Sequence, residues 1–542
     1  MIFPVIFAAL YAAHFALLRV PYYWDEAGYY IPAAWDFFRN GSLIPITTVS
    51  NAHPPLPSIY LALWWKASGF YPEVTREAVL MVAALALLGV WRLAMRLTSS
   101  PSVAFWTAAL TGLYPIWFSQ SMLAHADIFA AACSLWGLVY ALPAHNRRPW
   151  VAAAWFSAAA LSKETAIAIP LVLALIRVTD FLRDRSTGKT SALREAAWLM
   201  LPVLPLAGWY TFHYFKTGFL FGNAEFLRYN AQTTMGPVRV LAALWHRFLH
   251  LTAHMNLFVP VAVGLAALLL APRRDSDGKE RAGIDRYSLT RIYALLGANA
   301  LLFSLIGGAL LTRYLLPMYP LVILLALMSM YRRAPWWQGL AAVSAAAFVA
   351  ALVVNPPYGF APEDNLAWTR LVRMDLDGIH QLEKRDPGAV VLTAWPVSDQ
   401  LTRPELGYVK EPWKVMVASD FTSAQIDAAA AHPEDYSAAL VFSTKFDPAH
   451  PLFAVGLDQR LNEQYFGMHH DLEPAEIALR LHGTLLWKES NQGMWIALIR
   501  FNRQVEALGK PDSLAPIRDD SPAALVSLHE LHPPEFKHPV TD

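Results

Sequence analysis

The chain has 542 residues, of which 56% are hydrophobic and 16% are charged, and its formal net charge is +1 at pH 7. This composition is too apolar for an ordinary water-soluble enzyme and too charged for a protein made only of membrane helices. A net charge near zero argues against a nucleic-acid-binding surface, which needs a concentrated basic field. The single cysteine, Cys133, excludes an intramolecular disulfide. We therefore expect a multi-spanning membrane protein with a sizeable water-facing part.

Eleven apolar segments have the length and composition of membrane helices. A crossing needs about 20 mostly apolar residues, and fewer where neighbouring protein shields the helix. The first segment lacks the basic start of a signal peptide and is followed by many more, so we expect it to be retained. The predicted helices are 2–19, 77–98, 102–120, 126–143, 149–162, 164–179, 195–214, 252–271, 289–310, 313–331 and 335–354.

Loop charge decides between this topology and an alternative in which 149–162 and 164–179 form one bent helix, which gives ten crossings. With eleven helices and the N-terminus inside, Arg and Lys accumulate in the cytoplasmic loops at every crossing. The opposite side carries a few positive residues over much longer loops. We therefore predict eleven helices, and this topology places the region after the last helix outside the cytoplasm.

Two long loops, residues 20–76 and 215–251, face the outer side in this topology. Both mix Trp, Phe and Tyr with Arg and Lys at helical spacing. That pattern predicts amphipathic helices that lie in the membrane interface and roof a cavity. With these loops, residues 1–355 are expected to form one membrane domain.

The composition changes beyond the last apolar segment. Residues 364–386 have the pattern of an amphipathic helix, with Asp364 or Asn365 as its expected N-cap. Helical stretches separate some of the strands that follow, which predicts a small α/β domain over 356–505. Residues 506–542 are rich in Pro, Asp, Glu and His and are predicted to be a loose tail. The predicted strands are 389–395, 413–419, 437–443, 483–490 and 494–501.

Two acidic motifs fall at the predicted outer face. Asp25 and Glu26 are adjacent in YYWDEAGYY, where a carboxylate in a semi-apolar setting can serve as a tuned general base. The alternative is the acidic start of an interfacial helix. Asp127, in SMLAHADIFAAAC, is either a helix cap or an acid at the edge of a water-filled cavity. Both interpretations stay open at each motif.

Two cationic motifs fall at the same face. In LSKETA, Lys163 and Glu164 are costly at the membrane unless they are paired or face a polar cavity, and Lys163 is a candidate contact for phosphate. In LLTRYLLPMYPL, Arg313 opens a helix, where a guanidinium and free amides together bind phosphate, and Tyr314 follows it. The alternatives are a snorkelling lysine and an interfacial arginine anchor. Together the four motifs predict acids and cations around one outer cavity.

Metal-binding patterns are weak in this chain. His246, His250 and His254 recur every four residues, but the outer two would lie about 12 Å apart on a straight helix and cannot share one ion. The acidic pair Asp275 and Asp277 lies in a short charged loop that is better interpreted as a solvated turn. No metal ligand is therefore predicted, and the use of a divalent ion stays open.

The order of WDE, HPPL, SKETA and TRYLLPMYPL along residues 1–355 resembles the GT-C glycosyltransferases. The similar branch is the bacterial family-39-like group, which is related to protein O-mannosyltransferases and to the aminoarabinose transferase of lipid A. The resemblance implies a mainly α, polytopic helical bundle with a C-terminal extracytoplasmic α/β domain. It also implies an inner-membrane enzyme that transfers a sugar, with inversion, from a polyprenyl-phosphate donor to a lipid, glycan or protein acceptor in the periplasm.

The resemblance also assigns roles to residues of this sequence. Asp25 matches the family's first-loop acid, the general base for the acceptor, and Glu26 would orient it or contact the sugar. Asp127 matches the second acidic position. Contacts to the donor phosphate or to other parts of the substrate are expected from His53, Lys163, Glu164, Arg313 and Tyr314.

Two other classes of protein compete with this interpretation. Polar residues in a helical bundle also mark the pathway of a transporter or lipid flippase. The halves of this chain show no repeat symmetry, however, and the polar residues gather at one face. A membrane scaffold that displays the C-terminal domain leaves Asp25, Lys163 and Arg313 unexplained. A membrane glycosyltransferase is therefore the preferred prediction, with a transporter as the alternative.

Overall fold

The computed structural model describes residues 2–183, 189–220, 222, 236–274, 278–306, 308–446, 448 and 456–501. The chain divides into two compact units. The first comprises Met1–Glu26, Tyr30–Ile46 and Ser50–Arg370, and the second comprises Ala27–Tyr29, Thr47–Val49 and Leu371–Asp542. The predicted tail, the pair Asp275 and Asp277, and residues 223–235 of the second long loop lie outside the described residues.

The first unit is helical. Its helices are α1 (Ile2–His14), α2 (Ile31–Asn40), α3 (Leu56–Ser68), α4 (Pro72–Thr98), α5 (Pro101–Leu113), α6 (Pro115–Gln120), α7 (Ala126–Ala141), α8 (Pro149–Ser162), α9 (Ala168–Arg183), α10 (Lys189–Met200), α11 (Val203–Thr217), α12 (Pro237–Thr252), α13 (Phe258–Ala267), α14 (Arg286–Leu305), α15 (Tyr319–Arg333), α16 (Trp337–Val353) and the start of α17 (Ala367–Arg385). One-turn helices at Glu164–Ile167, Thr312–Leu315 and Pro362–Asp364 carry residues of the site described below.

Each predicted membrane segment coincides with helix, but prolines divide some of them. The segment 102–120 is two helices that meet at Pro115, and the segment 195–214 is interrupted at Pro202. Proline has no backbone N–H and its ring clashes with the preceding turn, so a helix restarts there instead of continuing. The segment 252–271 begins later than predicted, at Phe258, because the chain bends before it.

Three helices of the described part are long and apolar enough to cross a membrane: Pro72–Thr98, Glu164–Arg183 and Arg286–Leu305. The pair Pro237–Asn256 and Phe258–Ala267 would add a fourth if its two arms, bent by 97°, form one span. Ile2–Leu17, Ala126–Ala141 and Trp337–Val353 are shorter apolar helices. These findings confirm the mainly α polytopic fold class, and the number of eleven crossings stays a prediction.

The two long loops that the sequence places at the outer face also contain helices. Residues 20–76 include α2 and α3, and the described end of the second loop forms α12. Along α12, the exposed side chains Val238, Leu241, Trp245 and Phe248 share one apolar face, and the buried Arg247 lies on the other. α2 and α12 are amphipathic as the sequence predicts, and α3 is so only weakly; the position of these helices in a membrane interface stays a prediction.

The second unit contains a five-stranded sheet with the order β2-β1-β3-β5-β4. The strands are β1 (Val390–Ala394), β2 (Lys414–Ala418), β3 (Ala438–Phe442), β4 (Thr484–Asn491) and β5 (Met494–Arg500). β1 pairs in parallel with β2 and β3, whereas β5 runs antiparallel to β3 and β4. All five strands agree with the sequence prediction.

Helices connect the strands of this unit. They are the remainder of α17, α18 (Val397–Thr402), α19 (Ser423–Ala430), α20 (Gly456–Phe466) and α21 (Pro474–Arg480). The strand β3 is buried at every position, because it lies in the middle of the sheet with a covered surface on both faces. The unit is therefore the small α/β structure that the sequence predicts, and its exact boundary stays a prediction.

Candidate functional site

A buried arginine lies at the centre of a cluster of charges in the first unit. Arg313 belongs to the one-turn helix that precedes α15, and it is 4% exposed. Its Nη1 donates hydrogen bonds to both carboxylate oxygens of Glu363, and its Nη2 donates to Asp25. Its Nε lies 3.4 Å from Oδ2 of Asp127. Three carboxylates therefore surround one guanidinium, which satisfies the requirement that a buried charge be paired.

A lysine extends this cluster on the other side of Asp127. Lys163 follows the last residue of α8 in extended backbone, and its Nζ donates a 2.6 Å hydrogen bond to Oδ1 of Asp127. The same Nζ lies 4.3 Å from the centre of the Tyr314 ring, a cation–π distance. Both charged side chains are buried. Lys163 is therefore held inside the protein by one carboxylate and one aromatic face, and does not snorkel to a surface.

Glu363 is the most perturbed acid of the cluster. It lies in the one-turn helix after α16, and burial raises its pKa to about 8, although Arg313 opposes that shift. Its Oε2 lies 3.8 Å from Nδ1 of His125. Burial, together with nearby cations, holds the pKa of His125 well below its ordinary value, so this imidazole is neutral near pH 7. Glu363 consequently has one strong charged partner, Arg313.

The cluster borders a small, partly open pocket. Asp127, Lys163, Arg313 and Tyr314 line it, together with apolar residues of α7, the Glu164–Ile167 turn and α14. Three carboxylates and two cations leave one uncompensated negative charge when every group is ionised. The site therefore combines a partly apolar cavity with convergent charges, which is the usual composition of a ligand site.

Glu26 lies behind this pocket and is completely buried. Its carboxylate pairs with Arg76, whose Nη1 donates a 2.5 Å hydrogen bond to Oε1. The backbone N–H groups of Tyr23 and Ala124 donate to the same carboxylate, at 3.0 Å and 2.6 Å. Glu26 therefore exposes no surface to the pocket, and groups of the protein itself supply the hydrogen bonds to its carboxylate.

Arg76 joins the two loops that carry the acids of the site. It is fully buried near the start of α4, and donates to the carbonyl oxygens of Pro21 and Met122 as well as to Glu26. The first of these carbonyls precedes Asp25 by four residues, and the second precedes Asp127 by five. One ion pair thus fixes both loops relative to each other.

His53 and Glu164 form a second pair beside the cluster. Nδ1 of His53 lies 2.8 Å from Oε2 of Glu164, which follows Lys163 in the chain. The ring of Tyr30 stacks on His53 with an angle of 6° between the planes, and also contacts the ring of His125 at 5.4 Å between centroids. Tyr30 therefore connects this pair to the groups around Arg313.

Asp364, the neighbour of Glu363, holds the turn that carries Arg313. It accepts a hydrogen bond from Thr312 and lies 2.9 Å from Nε2 of His254, which stands at the bend between α12 and α13. The expected N-cap of α17 is supplied by Asn365 alone, whose side-chain oxygen accepts from the N–H of Ala367. Asp364 therefore stabilises the turn that carries Arg313 and does not cap α17.

The structure brings together most of the residues that the sequence singles out. Asp25, Asp127, Lys163, Arg313 and Tyr314 share one cluster of contacts, and all of them except Asp25 line the pocket. His53 and Glu164 lie beside it, and Glu26 lies behind it. Their roles in catalysis stay predictions. Sequence reasoning missed four further polar residues that the structure places in or against the cluster: Arg76, His125, Glu363 and Asp364.

Metal ligands do not converge in this pocket. Among the described residues, the one group that brings three ligand atoms within 4.8 Å of one another is His432, Glu434 and Asp435, in the second unit. These residues are exposed or half-exposed, and clusters of that kind are common on protein surfaces without an ion.

The helical first unit, its polar outer loops and the α/β second unit together define a GT-C-like membrane fold. Two solved structures support this class: ArnT from Cupriavidus metallidurans bound to undecaprenyl phosphate, and the same protein in the apo state. The TM-scores are 0.53 and 0.51, with 14% sequence identity, and each match covers 91% of this chain and 97% of that one. No family model and no curated protein match the chain. At this identity the similarity establishes the fold.

Proposed function

We propose that this protein is a membrane glycosyltransferase that uses a polyprenyl-phosphate-linked sugar as donor. The observation that carries the proposal is the buried cluster in which Arg313 and Lys163 meet Asp25 and Asp127 at the edge of a partly apolar pocket. Cations and carboxylates are what glycosyl transfer from a phosphate requires. The similarity in fold to a protein that binds undecaprenyl phosphate supports a lipid-linked donor.

The chemistry assigns opposite tasks to the cations and the acids. The bond between the anomeric carbon and the phosphate oxygen breaks, and the leaving polyprenyl phosphate gains negative charge. Arg313 and Lys163 stabilise that charge from inside a water-poor site, where such contacts are strong. An acceptor hydroxyl attacks the opposite face of the sugar, and its proton passes to Asp25 as general base. Attack from the opposite face gives inversion.

The remaining site residues fit supporting tasks. Tyr314 forms a wall of the pocket against Lys163, and would confine the donor phosphate between ring and cation. His53 and Glu164 present a hydrogen-bonding pair beside the cluster, suited to hydroxyl groups of the sugar or acceptor. For Glu26 we propose a positioning role in place of direct contact with the sugar, since its carboxylate has no exposed surface.

We further propose that the site faces the outside of the inner membrane. The site residues lie at one end of the helices, at the end of α8 and before α7 and α15. Arg and Lys gather at the other ends, for example Arg96 at the end of α4 and Arg332 and Arg333 at the end of α15. The positive-inside rule then orients the site outward. The acceptor would accordingly be an extracytoplasmic lipid, glycan or protein.

A transfer assay tests this function. Purified protein in lipid nanodiscs would be given radiolabelled polyprenyl-phosphate sugars and a membrane extract as acceptor source. We expect sugar transfer with the wild type and a loss of about a thousandfold or more with Asp25→Asn, because the amide cannot accept the proton. Transfer that survives this substitution would contradict the role of Asp25.

The same preparation separates the enzyme from a transporter. Absence of transfer from every donor, combined with movement of labelled lipid across proteoliposomes, would favour the flippase alternative. Transfer without such movement supports the enzyme. Glu405→Gln, a substitution of a half-buried acid in the second unit, serves as the matched control for removal of one carboxylate.

A further inference from the structure

Three of the five N–H groups of Arg313 donate hydrogen bonds to carboxylates of its own chain. A guanidinium binds a phosphate through a pair of parallel N–H groups. Both N–H groups on Nη1 donate to Glu363, Nη2 donates to Asp25, and Nε faces Asp127 at 3.4 Å. A donor phosphate therefore gains the paired N–H groups of Nη1 and Nη2 only where a carboxylate leaves them.

Lys163 differs from Arg313 in this respect. An ammonium has three N–H donors, and Asp127 takes one of them while the Tyr314 ring lies against the charge. Lys163 can thus contact an anion at the pocket without giving up its partner. The donor phosphate therefore competes with protein carboxylates mainly for the N–H groups of Arg313.

Charge balance points to Glu363 as the group that leaves. With Glu363 ionised, the cluster carries one negative charge in excess, and a phosphodiester would add another in a buried site, where unpaired charge is costly. Asp127 keeps Lys163 as a second partner, whereas the one cation paired with Glu363 is Arg313. Glu363 is also the acid whose protonated form burial favours, since its pKa is raised to about 8.

We propose that Glu363 occupies the N–H groups of Arg313 that the donor's phosphate needs, so that donor binding displaces this carboxylate and adds one proton to it. The inference rests on the proposed function and deepens it. The displacement has a second consequence, because the phosphate also competes for the guanidinium with Asp25. A carboxylate released from Arg313 is free to accept the proton of the acceptor hydroxyl, so the donor would prepare the base that serves the acceptor.

The neighbours of Glu363 are consistent with proton uptake at this group. His125 is neutral and stays so at higher pH, because burial and nearby cations hold its pKa well below its ordinary value. Asp364 is engaged by Thr312 and His254. The titratable and charged groups that face Glu363 from the surrounding elements are Arg313, His125, Asp25, Asp127 and Asp364.

Calorimetry with a sugar-free probe tests the inference. A polyprenyl methyl phosphate carries the lipid and the phosphodiester of the donor, and its single charge does not change near neutral pH. Binding is measured with the full-length protein in nanodiscs, at several pH values and in two buffers of different ionisation enthalpy, which gives the number of protons taken up. The variants are Glu363→Gln and, as matched control, Asp375→Asn, which removes a buried carboxyl group of the second unit.

We expect the wild type to take up a proton on binding above about pH 8, and its Kd to rise about tenfold per further pH unit. Glu363→Gln should bind more tightly there, with a Kd independent of pH and no proton uptake. Asp375→Asn should behave as the wild type. A variant Kd and proton count equal to those of the wild type would overturn the inference, as would loss of binding in a folded Glu363→Gln protein.

Failure of the proposed function has a different signature in the same experiment. If neither the wild type nor Glu363→Gln binds the phosphodiester at any pH, the polyprenyl-phosphate donor itself is contradicted. Binding that is unchanged in Arg313→Ala would contradict the phosphate contact, and with it the competition at this arginine. Circular dichroism of each variant distinguishes these outcomes from misfolding.

Discussion

Arg313 has a task that a lysine cannot perform. Its planar guanidinium serves Glu363 and Asp25 on separate nitrogens and faces Asp127 with a third. An ammonium is a compact charge on a flexible stem and cannot hold three carboxylates in fixed directions. The buried acids would then repel one another, because their charges are no longer neutralised from one centre.

We therefore predict that Arg313→Lys lowers kcat/KM for the donor by about a hundredfold or more, although the charge is kept. The measurement is the transfer assay with varied donor concentration. A surface substitution, Arg480→Lys in the second unit, is the matched control, since that arginine pairs with exposed acids. Near-normal kinetics of Arg313→Lys would show that the three contacts are dispensable.

A second residue-scale prediction concerns stability in the second unit. Asp375 is buried on α17, and burial raises its pKa to about 7 although Gln400 donates a hydrogen bond to it. The pKa is higher in the folded than in the unfolded state, so this acid is compatible with folding while protonated. Its ionisation removes stability as the pH rises from the unfolded value through about 7.

Asp375→Asn should consequently raise the Tm by several degrees above about pH 8 and change it little near about pH 3, where the wild-type acid is mostly protonated in both states. Scanning calorimetry of the full chain at the two pH values measures this difference. An equal effect at both values would show that the amide acts through packing and not through charge.

At the scale of elements, helix ends place the chemistry. Asp127 lies in the first turn of α7, Lys163 directly follows α8, and Arg313 precedes α15. The sequence can predict these three because apolar segments of about 20 residues mark the helices, and charges at their edges stand out. Glu363 and Asp364 also follow an apolar helix, but the same pattern is typical of a helix start. From the sequence alone, an acid that caps a helix cannot be distinguished from an acid that pairs with a distant arginine.

The ion pair between Arg76 and Glu26 is likewise difficult to predict from the sequence. Arg76 lies near the start of α4, where a cation is unfavourable for the helix dipole, and this is the one local sign of a special role. Its partner Glu26 is fifty residues away and looks like the second member of a catalytic pair. Only the packing of loops against α4 reveals that Asp25 contacts Arg313, whereas Glu26 is buried against Arg76.

We predict that Arg76→Lys and Glu26→Gln act as changes in positioning. Both loops lose part of the hydrogen bonding that fixes Asp25 and Asp127, so kcat should fall about tenfold to a hundredfold, while the KM for donor changes less. The pH profile of kcat should also shift, because the environment of the general base changes. If the variants only lower the yield of folded protein, and the folded fraction keeps a normal kcat and pH profile, the positioning role is contradicted.

At the scale of the whole molecule, the arrangement of charges predicts an orientation in the membrane. The predicted topology places the ends of α8, α7 and α15 that carry the site on the side opposite the Arg-rich helix ends, which the positive-inside rule assigns to the cytoplasm. The five strands and most helices agree with the sequence pattern, because strand and helix periodicities are local properties. The number of crossings depends on how short helices sit in a bilayer, and helix length alone leaves it open.

Cysteine labelling measures that orientation with little background. The one native cysteine, Cys133, is mostly enclosed within α7, and Cys133→Ala removes it. Single cysteines are then placed at the exposed positions Glu411, in the second unit, and Lys279, between α13 and α14. In intact spheroplasts, a membrane-impermeant maleimide should label Glu411→Cys and should label Lys279→Cys only after the membrane is opened. The reverse pattern would place the site in the cytoplasm, which would exclude a periplasmic acceptor while leaving the geometry around Arg313 unchanged.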